Sequence, residues 1–217
     1  MSAVDFSRLL EQLFPGQFGA AGKDRLRKAL LPFRPDPPPP AADYYLKDPA
    51  TSFLQGDLLQ GMRLPYWNAE QGSYEKKYAP ALLLSNSCDL AADENARSIT
   101  KEVMLAPVIN AANFFQKLHA ESAKSASTYE QLIKRQEIST LLHLPSPLGS
   151  ETKYPDGILI ELDKVFWFPV TELLELKPVI LPRRLGSLSS WAHYLLLVKL
   201  SYHMCRPPEE ADRPAYS

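Results

Sequence analysis

The densest group of side chains that could do chemistry is the run Ser85-Asn86-Ser87-Cys88-Asp89. It directly follows a continuous apolar run that predicts a buried strand. Because the end of a strand exposes polar groups on a rigid support, Ser85, Ser87, Cys88 and Asp89 are the candidate catalytic residues. In the structural alternative, which we favour, Ser87 and Asp89 bond to backbone donors in a turn while Cys88 packs as a small apolar side chain.

Cysteine chemistry in this run requires a nearby base. A thiolate nucleophile needs a histidine within hydrogen-bond reach. The chain has four histidines in separate predicted elements: His119, His143, His193 and His203. A cysteine-dependent hydrolase or thiol sensor at Cys88 is therefore one functional hypothesis. It predicts that Cys88 is alkylated faster than Cys205.

No metal or cofactor signature accompanies these residues. The sequence has no CxxC, no HExxH and no histidine pair at i, i+4. It has neither GxGxxG nor GxxxxGK[ST], the loops that hold nucleotide phosphates. We therefore expect no metal, no nucleotide and no other cofactor.

Charged residues outside the run are predicted to be solvated. Glu161 and Asp163 alternate with apolar residues on the polar side of a strand, where acid-base work is the less favoured interpretation. Arg183 and Arg184 follow a proline in a connector, and a solvated turn is favoured there over a phosphate site.

Charge and composition narrow the classes of partner. The 217 residues include 24 Lys+Arg and 25 Asp+Glu, a net charge of -1, which gives no global reason to bind nucleic acid or an anionic membrane. Cys88 and Cys205 lie far apart, which favours a reducing compartment over a disulfide framework. No apolar stretch approaches the roughly 20 residues of a membrane span. We expect a soluble, cytoplasmic protein without membrane contact.

Prolines divide the chain into predicted regions. The 20 prolines against 9 glycines favour short elements and stiff connections. The run PDPPPP predicts a polyproline II spacer. We predict an N-terminal helical segment at 1–34, a Pro-rich linker at 35–52, a barrel domain at 53–182 with a helical insertion at about 110–136, a C-terminal helix at 183–206 and a disordered tail at 207–217.

Short apolar runs in the central region predict five or six strands at irregular spacing. Leu162-Asp163-Lys164 is interpreted as a turn between two antiparallel strands. Helices fall between and after the strands. The predicted fold class is therefore α+β, a small curled antiparallel sheet or barrel with inserted and flanking helices.

The predicted C-terminal helix, with a serine at its start, carries an apolar surface wider than one stripe. Either the rest of the chain covers it on more than one side, or part of it meets another chain. The candidate partner-binding residues are those of its main stripe: Trp191, Tyr194, Leu195, Val198 and Tyr202.

The order of the central elements resembles the MazF/PemK-like toxin family. Gly56-Asp57-Leu58-Leu59 opens the first strand, a polar loop follows, and Tyr78-Ala79-Pro80-Ala81-Leu82-Leu83-Leu84-Ser85 precedes the strand Val103-Met104-Leu105-Ala106-Pro107-Val108. The resemblance spans about residues 55–170. It implies an SH3-like barrel and a bacterial, metal-independent endoribonuclease partnered by an antitoxin.

One departure weakens the implied activity. Ala79 stands where the family has an arginine that binds and cleaves RNA. Lys76 and Lys77 lie slightly earlier and, with Asp57, are the candidate substrate-binding residues. Lysine does not reproduce the bidentate contact of a guanidinium with phosphate.

Three functional hypotheses follow. The favoured one is a divergent barrel protein that acts through a protein partner or as a homo-oligomer, in a bacterial defence or toxin-antitoxin context that only the resemblance implies. The alternatives are an endoribonuclease, with RNA as partner, and the cysteine-dependent protein described above. Whether the protein is an enzyme is left open.

Overall fold

Seven antiparallel strands form the centre of the computed structural model, which describes residues 39–68, 71–87, 101–121 and 123–204. The strands are β1 (Asp57–Asn68), β2 (Ser73–Leu83), β3 (Glu102–Asn110), β4 (Leu141–Leu144), β5 (Ile158–Glu161), β6 (Phe166–Pro169) and β7 (Gly186–Ser187). The α-helices of the described residues are α1 (Ala111–Glu121), α2 (Ala123–Lys134), α3 (Val170–Glu175), α4 (Lys177–Ile180) and α5 (Ser190–Met204). Short 3-10 turns lie at Ala41–Tyr44, Leu162–Lys164 and Leu181–Arg183.

The sheet is open. Its strands run in the order β4-β5-β3-β2-β1-β7, and β6 pairs with β3 outside this path. The mixed class of antiparallel sheet plus helices is as predicted. The sheet is not closed into a barrel among the described residues, because the order ends at β4 on one side and at the two-residue β7 on the other. Barrel closure is therefore not confirmed.

The predicted antiparallel turn between β5 and β6 is wrong. Both strands pair antiparallel with β3, so they run in the same direction. Strand β3 is long enough for both: residues 108–110 pair with β5 and residues 102–105 with β6. The 3-10 turn Leu162–Lys164 carries the chain from one to the other.

Two hydrophobic clusters cover the two faces of the sheet. Leu58 and its partner Leu82 belong to one cluster, while the adjacent pair Leu59 and Ala81 belongs to the other. This division follows from the alternation of side chains along a strand. Helix α5 fills the first cluster, and α3 and α4 fill the second through Leu173 and Ile180.

The C-terminal helix α5 begins at Ser190, later than the start of the stretch 183–206 assigned to it, and a serine caps it as predicted. Ser189 is its N-cap, since its Oγ accepts a hydrogen bond from the backbone N–H of Ala192 at 3.2 Å.

None of the helices in the described ranges is long and apolar enough to cross a membrane.

The folded unit extends beyond the predicted central domain at both ends. Tyr44 and Tyr45, in the stretch assigned to the linker, are each only 3% exposed. The Tyr45 hydroxyl donates to the Pro145 carbonyl at 2.6 Å. Strand β7, in the stretch assigned to the C-terminal helix, pairs with β1. The predicted helices at 1–34 and the tail at 207–217 lie outside the described residues.

Candidate functional site

The two candidate serines are hydrogen-bond acceptors for backbone N–H groups. Ser85 lies just after β2, is 8% exposed, and its Oγ accepts from the Met104 N–H at 2.8 Å. Ser87 Oγ accepts from the Gln55 N–H at 2.8 Å. The Gln55 side chain in turn donates to the Leu84 carbonyl at 2.6 Å. These contacts join the segment before β1 and strand β3 to the end of β2.

Cys88 and Asp89 lie outside the described residues, so the cysteine hypothesis stays a prediction. Of its candidate bases, His119 is bonded to Glu130 at 2.9 Å on the surface of the α1–α2 pair. His143 lies with Nε2 at 2.9 Å from the Asp156 carbonyl, and burial lowers the pKa of its ring. Burial also lowers the pKa of His193.

Asp57 is fully buried and therefore does not lie on a surface that a substrate would touch. Its carboxylate accepts from the Leu54 N–H at 2.9 Å and from the Ser187 hydroxyl. The Arg184 guanidinium lies 2.8 Å away. A buried carboxylate with this many donors is a structural centre.

Arg184 is the residue whose role the sequence missed. The predicted solvated turn holds for Arg183, which is exposed, but the Arg184 side chain is only 6% exposed. Besides Asp57, it donates to the carbonyls of Ala50 at 2.6 Å and Ser52 at 3.4 Å. Arg184 therefore fastens the segment before β1 to the strand itself.

The candidate partner-binding residues of α5 lie largely inside the chain. Leu195 is fully buried and Val198 is 5% exposed. Trp191 packs edge-to-face on Tyr44 with ring centroids 4.5 Å apart. Tyr194 is half-buried, and the Tyr202 side chain lies outside what the structure describes. The wide apolar surface of this helix is thus covered mainly by its own chain.

A buried lysine in α5 was not singled out by the sequence. Lys199 is 1% exposed, and its ammonium donates to the carbonyls of Gln136 at 2.6 Å and Ile138 at 2.5 Å, just beyond the end of α2. Burial lowers the pKa of Lys199 to about 8. A cation at a helix C-terminus is favourable, so this lysine joins α5 to the α2–β4 connection.

Within the described ranges, no group of three or more histidine, cysteine or acidic side chains could hold a metal ion.

The candidate lysines Lys76 and Lys77 lie on a two-stranded extension of the sheet, here called the arm, formed by residues 62–68 of β1 and 73–80 of β2. The two strands pair throughout the arm, whereas β2 pairs with β3 only from Ala81 to Leu83. The arm starts at a β-bulge, where β1 carries one extra residue between Leu59 and Met62. Gly61 adopts φ 77° within the bulge. At about 3.3 Å per residue, the arm extends on the order of 20 Å.

The arm exposes three tyrosines. Tyr74 and Tyr78 are 75% and 76% exposed, and Tyr66 is 47% exposed. Because side chains alternate along β2, Tyr74, Lys76 and Tyr78 share one face of the arm. The opposite face holds Lys77, whose Nζ lies 4.2 Å from the centre of the Tyr66 ring. The exposed aromatic surface of the arm was not predicted.

The charges of the arm are mixed. Arg63 pairs with Glu172 at 3.2 Å, and Lys77 lies over the Tyr66 ring. Glu75 directly precedes Lys76 in sequence, and Lys76 and Lys77 lie on opposite faces of the strand. The arm therefore has no row of cations that would follow a phosphate backbone.

The chain matches no protein-family model, and no curated protein shows significant similarity to it. The MazF/PemK resemblance accordingly stays a prediction.

Proposed function

We propose that this protein acts by binding a protein partner, and that the arm is its binding surface. The observation that carries the proposal is the exposure of Tyr74 and Tyr78, at 75% and 76%, on one face of the arm. Tyrosine is enriched in protein interfaces because it offers a large contact area at a low cost in side-chain entropy. Several large aromatic side chains that are exposed close together indicate an interaction site.

The charge of the arm favours protein over RNA as the partner. Affinity for a nucleic acid grows with the number of phosphates that are neutralised. The arm has three cations, of which Arg63 is paired with Glu172 and Lys77 lies against Tyr66. A mixed aromatic and charged surface suits the core and rim of a protein interface.

The arm replaces helix α5 as the proposed contact. Leu195 and Val198 are buried, so they could reach a partner only if the helix left its own core. Tyr74 and Tyr78 need no such rearrangement. The SH3-like barrel, the toxin-antitoxin context and the bacterial origin implied by the resemblance stay predictions.

The test compares the parent protein with a Tyr74→Ser/Tyr78→Ser variant. Partners captured by the tagged parent protein from cells that express it are identified, purified and titrated against both proteins by calorimetry. Two central tyrosines contribute about 2 kcal/mol each, so we expect the variant to bind on the order of 1,000-fold more weakly. Tyr129→Ser, which changes a tyrosine 38% exposed on α2, is the matched control and should bind like the parent protein.

Equal affinity of the purified partner for the parent protein and the double variant would contradict the proposal. Sedimentation of the protein alone separates a different partner from a second copy of this chain. A dimer that the double variant dissociates would make the partner the chain itself.

A further inference from the structure

The edge of β2 that faces away from β1 is longer than the part of it that pairs with β3. β3 pairs with β2 only from Ala81 to Leu83 and then pairs with β5 through residues 108–110. Strand β2 continues for eight further residues towards the hairpin turn, paired with β1. Among the described residues, no strand pairs with this edge from Lys76 to Pro80.

Two observed hydrogen bonds fix the direction of the backbone groups along β2. The Leu83 carbonyl accepts from the Gly56 N–H, on the β1 side, at 2.8 Å. The Leu84 N–H donates to the Met104 carbonyl, on the β3 side, at 2.9 Å. Backbone groups alternate between the two sides of a strand in an antiparallel ladder. The bulge is in β1, so the alternation in β2 is uninterrupted.

The backbone groups of Lys76 and Tyr78 therefore point to the outer edge, like those of Leu84. Pro80 also lies in this outward set. Proline is found where a strand needs no N–H donor, which agrees with an edge position. The backbone groups of Lys77 point the other way, towards β1, and belong to the hydrogen-bond ladder between the two strands.

The side chains beside this edge define what would bind there. Tyr78 is 76% exposed, and Lys76 is exposed on the same face. Lys77 adds a second positive charge on the other face. Opposite charges across a strand pair stabilise it and like charges destabilise it. A second copy of this chain would bring its own Lys76 and Lys77 to the same edge, whereas an acidic strand would complement both.

We propose that the partner supplies an extended segment that adds as a strand to the outer edge of β2 at Lys76 to Tyr78, with acidic residues opposite Lys76 and Lys77 and an apolar residue opposite Tyr78. This inference rests on the proposed function and names the mode of binding. Main-chain hydrogen bonds to Lys76 and Tyr78 hold the segment in place. An acidic residue faces Lys76, and an apolar residue packs on the Tyr78 ring.

The test uses ten-residue peptides selected from a random phage-displayed library on the immobilised protein. We expect the recovered peptides to carry two adjacent acidic residues next to an apolar one, the order that faces Lys76, Lys77 and Tyr78. Lys76→Glu should weaken their binding about tenfold, since a cross-strand attraction becomes a repulsion. Replacing the facing acid of the peptide by lysine should restore affinity for this variant. Lys117→Glu, at an exposed site on α1, is the matched control and should leave affinity unchanged.

Amide hydrogen exchange tests the backbone contact itself. Bound peptide should slow exchange at the outward N–H groups of Lys76 and Tyr78 and leave Lys77, which already belongs to the ladder, unchanged. Two sets of peptides are methylated on every second backbone nitrogen, one set on the N–H groups that face β2 and the other on those that face away. The first set should lose binding and the second should keep it.

Two failures can be told apart. If the Tyr74→Ser/Tyr78→Ser variant loses the purified partner while the partner gives no protection at Lys76 and Tyr78, the edge is not used and the proposed function stands. If the double variant keeps the partner, the proposed function fails as well. Recovered peptides that bind the parent protein and Lys76→Glu equally would also overturn the inference.

Discussion

The guanidinium of Arg184 lies 2.8 Å from the carboxylate of Asp57, across 127 residues of chain and in the interior of the fold. The pair fastens the start of β1 to the segment that precedes β7. Ser187, within β7, donates to the same carboxylate. One acidic side chain thus joins the start of β1 to β7 and to the segment before it.

Removing the arginine should strongly destabilise the protein. Arg184→Met leaves the Asp57 carboxylate buried without its counter-charge, a change that costs about 3–5 kcal/mol. Urea denaturation followed by far-UV circular dichroism measures the free energy of unfolding. Arg183→Met is the control, since this neighbouring side chain is exposed and its loss should change stability by no more than about 0.5 kcal/mol. Equal denaturation midpoints for the two variants would show that the buried pair contributes nothing.

The buried ammonium of Lys199 should make stability depend on pH in the alkaline range. Its pKa is about 8 in the fold, below its usual value of 10.5, so the unfolded chain binds more protons between these two values. The free energy of unfolding therefore rises with pH in that window. The rise due to this group is about 2 kcal/mol between pH 8 and pH 9.5.

The comparison that isolates this effect is with Lys199→Met, whose stability should lack the alkaline rise. Denaturation curves should stop at pH 9.5, because burial raises the pKa of Tyr44 to about 12 and ionisation of tyrosine in the unfolded chain opposes folding above pH 10. Parallel pH profiles for the parent protein and the variant would show that Lys199 is not the source.

Substitutions of the serines after β2 test whether these residues have a structural or a catalytic role. Ser85→Ala removes the acceptor of the Met104 N–H and should cost about 1–3 kcal/mol of stability. In a protein that acts through its partner, labelled mixed-sequence RNA incubated with an excess of the chain in EDTA should stay intact. Cleavage by the parent protein but not by a Ser87→Ala/Asp89→Ala variant would instead support the endoribonuclease hypothesis.

Some features follow directly from local sequence patterns. Alternating and continuous apolar runs indicated the buried parts of the strands, because a strand's side-chain period is visible in the sequence. The stretch after the first strand was predicted as a polar loop, but it forms the outer parts of β1 and β2. A serine N-cap was predicted for the C-terminal helix, at Ser189 or Ser190, since capping depends on a residue and its near neighbours, and Ser189 takes that position. The apolar residues of α5 indicated that its own chain could cover the helix, and Ala192, Leu195 and Leu196 are fully buried.

The pairing of distant segments does not follow from such patterns. Arg184 resembles any arginine in a connector until the fold places it beside Asp57, and Lys199 resembles a helix-surface lysine until α5 is buried against the end of α2. The direction of β6 depends on the length of β3, which offers an edge to two strands in succession.

By itself, the sequence determined the class of fold, the main elements and the absence of metal and nucleotide motifs, since each depends on residue type and short-range spacing. Only the tertiary structure decided which polar side chains are structural and which surface is open. Burial is a property of the whole chain. It placed Asp57, Leu195 and Val198 inside and left the tyrosines of the arm exposed.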